Sequence, residues 1–160
     1  MRPTELPAAV DAGSKEFGAY RGIHEFRRET DDMSNPVVHF EIIGTQPEHL
    51  RSYYRELFGW QSESSQVSEA VSEPDNYGFI ERIATPDGGG IPGGIGGGPA
   101  YANRAIFYVG VDDVEEALQR AEELGGKRVL GPAQAPSGLV IGQFTDPQGN
   151  RIGVAAVPVG

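Results

Sequence analysis

The sequence predicts an α+β fold built from two βαβββ modules whose strands join one mostly antiparallel sheet. Three observations predict it. A strand–helix unit occurs twice, at residues 37–60 and 105–126. Three short strand-like runs follow each helix. The last two runs are separated by Asp146-Pro147-Gln148-Gly149-Asn150, whose Pro and Gly sit at turn-favouring positions, so they form a hairpin. Laid at an offset of 67 residues, the two units place His39 on Ile106, Leu50 on Ala117, Leu57 on Leu124 and Gly59 on Gly126.

The elements follow in order. Residues 37–43 form an apolar strand with His39, Glu41 and Ile43 on one face and Phe40 and Ile42 on the other. Residues 47–58 form a helix. Leu50, Tyr53, Tyr54, Leu57 and Phe58 fall on one stripe of it, with Pro47 in the first turn and Gly59 at the stop. The expectation is that this stripe, with Trp60 after it, packs as core. Strand runs follow at 63–71 (weak), 77–84 and near 91–97. The second unit has a strand over 105–111 and a helix over 114–124. That helix carries Val114, Ala117, Leu118, Ala121 and Leu124 on its stripe and a capping box of Asp112 with Glu115. Strands at 127–130, 139–145 and 151–157 complete the module. Module one spans 36–99 and module two 100–158, within a domain of 36–160. Residues 1–35 mix Pro, Gly and charge with scattered Phe17, Tyr20 and Phe26, and read as an N-terminal extension.

Composition narrows the function. The chain has 160 residues, net charge −10 and no cysteine. An acidic surface without a basic stripe argues against nucleic-acid binding. No apolar run nears the ~20 residues of a membrane span, and no secretory signal opens the chain. The lack of cysteine excludes disulfides and thiolate chemistry and fits a cytoplasmic location. The glycine tract 88–98 lacks the Gly-Lys-Ser/Thr ending of a phosphate loop. It reads as a strand that something approaches closely, with room for a ligand above it.

Five segments in order resemble the vicinal oxygen chelate superfamily, the group of glyoxalases, bleomycin resistance proteins and extradiol dioxygenases. They are His39-Phe40-Glu41-Ile42, Tyr53-Tyr54 with Leu57-Phe58-Gly59-Trp60, Val111-Asp112-Asp113-Val114, Leu124-Gly125-Gly126 and Asp146-Pro147-Gln148-Gly149-Asn150. The resemblance implies a glyoxalase-like fold curved around an open cavity, a homodimer, and a divalent metal held by the first and last strands of each module. Carried over residue by residue, only His39 keeps a ligand. Ile106 and Gly153 stand at two other ligand positions, and the glycine tract offers no donor at the fourth.

The expected site is therefore an amphipathic pocket with His39, Glu41, Trp60, Tyr108 and Gly153 as ligand-binding candidates. His39 and Glu41 are also the candidate catalytic pair. No cofactor is expected, and a divalent metal only through an unusual set in which Gln143 or Glu81 contributes. The leading expectation is a protein that binds a small, partly apolar molecule with its metal site lost. The alternative is an active lyase, isomerase or dioxygenase using His39 and Glu41.

Overall fold

The computed structural model describes residues 34–157. The extension read from the sequence lies outside the described residues up to Met33.

Strand β1 (Val37–Gly44) leads into helix α1 (Pro47–Phe58), then β2 (Glu63–Ser64), β3 (Gly78–Ile80) and β4 (Gly93–Gly97). The second module repeats the order with β5 (Arg104–Gly110), α2 (Val114–Glu123), β6 (Lys127–Gln134), β7 (Val140–Thr145) and β8 (Arg151–Ala156). All eight strands form one open, curved sheet in the order β2-β3-β4-β1-β5-β8-β7-β6. The modules meet at the antiparallel β1–β5 pair, and each module's last strand runs parallel to its first, β4 beside β1 and β8 beside β5. The other neighbours are antiparallel. The arrangement has an approximate two-fold axis between β1 and β5, as the sequence repeat requires.

Local chemistry sets the helix ends. Pro47 opens α1, and Gly59 closes it in the left-handed conformation at φ 73°, its N–H donating to Arg55 O at 2.9 Å. The α2 cap is Asp113, one residue later than the sequence predicts. Its Oδ1 accepts from Glu116 N at 2.8 Å, because the extended backbone at the cap falls there and not at Asp112. Replacing Asp113 with alanine is expected to cost about 1 kcal/mol. Urea unfolding of the two proteins checks it, and an unchanged midpoint would show that the cap is dispensable.

The helices pack unequally on their side of the sheet. Helix α2 buries Val114 and Leu118 against Val154 and Ala156, and the bare Cα of Gly142 admits both side chains. Helix α1 instead leaves Tyr53, Leu57 and Phe58 54–56% exposed. Its apolar stripe is as regular as predicted, but these described side chains do not form core. The main core lies on the opposite, cavity face. There Val38, Ile43, Ile106, Tyr108, Ile141 and Ala155 of the sheet meet Val67, Val71, Ala135 and Leu139 from the segments that cross it. The run 63–71, predicted as a weak strand, is strand only at its first two residues. Beyond Ser64 it leaves the sheet edge and becomes a strap over the cavity.

Candidate functional site

The sheet register assembles the site in two rows related by the pseudo-two-fold. One row runs Phe79–Gly94–Glu41–Ile106 across β3, β4, β1 and β5. The other runs Gln143–Gly153–Tyr108–His39 across β7, β8, β5 and β1. Side-chain alternation aims both rows at the cavity. His39, Glu41, Tyr108 and Gln143 are 3%, 4%, 2% and 1% exposed.

These groups form one directed chain of hydrogen bonds. Tyr77 OH donates to Glu41 Oε2 at 3.0 Å, and Tyr108 OH donates to Glu41 Oε1 at 2.9 Å. Since the single Tyr77 proton goes to the carboxylate, His39 Nε2, 2.8 Å from that phenol, is the donor to it. Gln143 Nε2 donates to Tyr108 OH at 2.7 Å. The Gln143 carbonyl accepts from Arg151 Nε at 2.7 Å and from an Arg104 terminal nitrogen at 3.3 Å. Donors thus point inward from both sides to Glu41, with two guanidiniums behind the Gln143 end. Burial lowers the Arg151 pKa, and the nearby Arg104 charge adds to the shift. Burial also pushes the His39 pKa down to about 3, so its imidazole is neutral at physiological pH. The ring stands 6.4 Å from the parallel Phe79 ring and edge-on to Tyr108 at 5.8 Å.

Glycine makes this packing possible through absent volume. A Cβ on Gly94 would run into the Tyr77 ring and hydroxyl, and one on Gly153 into the Tyr108 ring. The glycine strand that the sequence reads as room for a ligand is room for Tyr77. Gly153→Ala is therefore expected to lift Tyr108 from its seat and cost about 1–3 kcal/mol by overpacking. Calorimetric unfolding checks it, and an unchanged midpoint would mean that the ring has space to shift.

The predicted site residues sort as follows. His39, Glu41 and Tyr108 come together and line the cavity with Tyr77, Val67, Val71, Leu139 and Ile141. Gly153 lies beneath the Tyr108 ring rather than at the cavity wall. Trp60 is on the helix side of the sheet, packed with Phe40, Tyr54 and Phe58, because it follows α1 and Phe40 points away from His39. Tyr77 is the residue of this network that sequence reasoning missed. The signal was available: a tyrosine opening the strand run that pairs with a strand of glycines. Gln143 does join the network, and Glu81 is exposed.

The cavity is nearly filled. Its free volume is about 20 Å³, room for little more than a water molecule. The strap holds it shut. Ser65 N donates to Tyr77 O at 3.1 Å, and at the other end Ser72 Oγ accepts from Gly97 N at 2.8 Å. Between these anchors Val67 and Val71 drop into the cavity. A larger groove of about 370 Å³ lies at the start of α1, bounded by Gln46, His49, Asn103 and Arg104, and none of the predicted site residues lines it.

A divalent ion needs several lone pairs converging at about 2 Å. The cavity offers one imidazole and one carboxylate already held by two phenols, and tyrosine rings occupy the space above Gly94 and Gly153. Among the described residues no three His, Cys, Asp or Glu side chains stand together in a way that could hold a metal ion. The residues present do not fit such an ion.

Comparison with known proteins gives a consistent picture of the fold. Residues 37–154 match the family model described as Glyoxalase/Bleomycin resistance protein/Dioxygenase superfamily. A comparison with curated proteins finds no match. Among solved structures, the chain is similar to a Streptomyces coelicolor methylmalonyl-CoA epimerase in complex with 2-nitronate-propionyl-CoA. The identity is 14%, the TM-score 0.57, and the match covers 77% of this chain and 97% of that one. It is likewise similar to a methylmalonyl-CoA epimerase in complex with methylmalonyl-CoA and NH4+ (14% identity, TM-score 0.58, 78% and 96% covered). A hypothetical protein from Bacillus halodurans matches at 13% identity and TM-score 0.53, with 79% and 97% covered. At these identities the likeness concerns the fold.

Proposed function

Since this chain belongs to the glyoxalase/bleomycin resistance protein/dioxygenase superfamily, we propose that it binds a small, partly apolar molecule on the cavity face without a metal ion. The observation that carries this reading is the buried network of His39, Tyr77, Glu41, Tyr108 and Gln143, set in a wall of Val67, Val71, Leu139 and Ile141. Buried polar networks are a poor source of stability compared with well-packed apolar residues. This one offers a ligand a carboxylate, two phenols and an amide against an apolar wall, the usual make-up of a small-molecule site.

Admission requires the strap to swing out. Between its anchors the strap is tied to the body by Val67, Val71 and the bond from Tyr101 OH to Glu69 O at 2.6 Å. Opening therefore draws Val67 and Val71 out of the core and breaks that bond. Binding is favoured over turnover because a histidine that protonates only near pH 3 is a weak base at neutral pH, and both Glu41 oxygens are engaged by phenols. The absence of cysteine supports a cytoplasmic setting. No helix among the described residues is long and apolar enough to cross a membrane.

The test uses untagged full chain dialysed against EDTA. Its unfolding temperature is followed with bleomycin, a catechol and methylmalonyl-CoA as probes. A ligand of this site raises the midpoint, and Tyr77→Phe removes the shift. Near-stoichiometric metal in protein purified without chelator, with metal-dependent turnover that His39→Ala abolishes, would overturn the reading in favour of the enzyme alternative.

A further inference from the structure

The helix side of module one is unfinished. Tyr53, Leu57 and Phe58 are 54%, 54% and 56% exposed. Rings of this face form one continuous cluster. Tyr53 stands 5.0 Å from Tyr54, Tyr54 stands 5.5 Å from Trp60, and Trp60 is 5.1 Å from both Phe58 and Phe40. Phe107, the cross-strand partner of Phe40, extends the cluster at 42% exposure, and Val37 at 43%. Contiguous apolar surface of this kind marks a site that something covers. The matching helix in module two buries Val114 and Leu118 instead.

The chain itself holds a candidate cover. Pro36 O accepts from Gly110 N at 2.8 Å, which pins the start of β1 to the sheet. Phe40, three residues along β1 from that start, packs against Trp60 at 5.1 Å. Val37 is about 10 Å from Phe40 along the strand. The 33 residues before Ser34 therefore join the domain at the edge of the aromatic cluster. They include Phe17, Tyr20, Ile23 and Phe26 within ten residues. The eleven residues from Phe26 to Val37 reach up to about 36 Å, twice the ~18 Å length of α1. Every ring of the cluster is within range.

We propose that the segment 17–26 lies across the aromatic face of α1 in the same chain, with Phe17, Tyr20, Ile23 and Phe26 covering Tyr53, Leu57, Phe58 and Trp60. A homodimer of the kind the family resemblance implies would then form through another surface.

Trp60 is the sole tryptophan of the chain, so its fluorescence reports on the cover directly. The full chain is compared with its Phe17→Ser/Tyr20→Ser/Phe26→Ser variant by acrylamide quenching, with mass followed by sedimentation. The expected result is a roughly two-fold higher quenching constant and red-shifted emission in the variant, as rings stripped of cover meet solvent, at unchanged mass and unchanged far-ultraviolet dichroism. Removing residues 1–33 should give the same change. Equal quenching in all three proteins overturns the proposal. So does a dimer whose dissociation on dilution exposes Trp60, since a second copy is then the cover. A variant that loses half the mass also overturns it, since the segment then lies on the partner.

Discussion

Replacing Glu41 with alanine will destabilise the protein by about 2–6 kcal/mol, the sum expected when two buried donors lose their acceptor at about 1–3 kcal/mol each. The deletion strands the hydroxyls of Tyr77 and Tyr108, which both donate to this carboxylate, and opens a void at a position 4% exposed. A loss of this size is a large part of the stability of a single domain. A triple change that removes these polar groups together, Glu41→Leu with Tyr77→Phe and Tyr108→Phe, is expected to recover part of the loss, because both phenol donors go with their acceptor while His39 Nε2 and Gln143 Nε2 lose theirs. Urea denaturation of the parent, the single and the triple variant reads the two effects. If the triple variant is no more stable than the single, the network contributes to folding beyond satisfying itself, and the argument that it is kept for a ligand weakens.

Acid will unfold the protein earlier than its carboxylates alone would cause, and His39 is the source. The unfolded imidazole takes up a proton near pH 6.5, whereas the buried one does so only near pH 3. Between these values the unfolded state binds one more proton than the folded state. Stability is therefore fully present above pH 6.5 and falls as pH drops through the window, by up to about 1.4 kcal/mol per pH unit. By pH 4 the loss is on the order of 3 kcal/mol. The carboxylates whose pKa is lowered in the fold, Asp87 and Asp146 by hydrogen bonds and Glu115 by Arg128, begin to lose their stabilising charge further down the scale. Above about pH 5.5 these three carboxylates stay charged in both states, so the range from pH 6.5 to 5.5 separates the histidine from them. In His39→Gln, whose amide can still donate to Tyr77, the slope over that range should flatten. Equal slopes in the two proteins would mean that the imidazole reaches solvent and titrates normally.

Much of the architecture was legible in the sequence because it rests on local rules. Helix α1 runs over the predicted residues 47–58 since Pro47 and Gly59 fix both ends by backbone geometry. The βαβββ repeat is visible because each module needs the same strand–helix turn. What failed depends on neighbours that periodicity does not identify. The stripe Leu50–Tyr53–Tyr54–Leu57–Phe58 has a helical period, but the period does not say what covers it. Trp60 follows the helix and so goes to the helix side, a choice fixed by packing against Phe40. Tyr77 belongs to the site only through pairing of β3 with β4, a contact that depends on the fold of the intervening strap. His39, Glu41 and Tyr108 could be grouped from sequence because strand alternation and the 67-residue offset act together: Glu41 and Tyr108 are equivalent positions, and they bond to each other across the axis.

The seating of Tyr108 on Gly153 and of Tyr77 on Gly94 bears on the substitutions open to this chain. An acidic side chain cannot enter position 153 while Tyr108 occupies its volume, and trimming Tyr108 first removes a donor from Glu41. The two substitutions are each unfavourable alone and compatible only together, a strongly non-additive pair. The same holds at Gly94 and Tyr77. A larger side chain at either glycine is therefore reached only through a less stable intermediate, in both halves of the molecule. The tyrosines thus bar a ligating side chain from either glycine position, whatever the cavity holds.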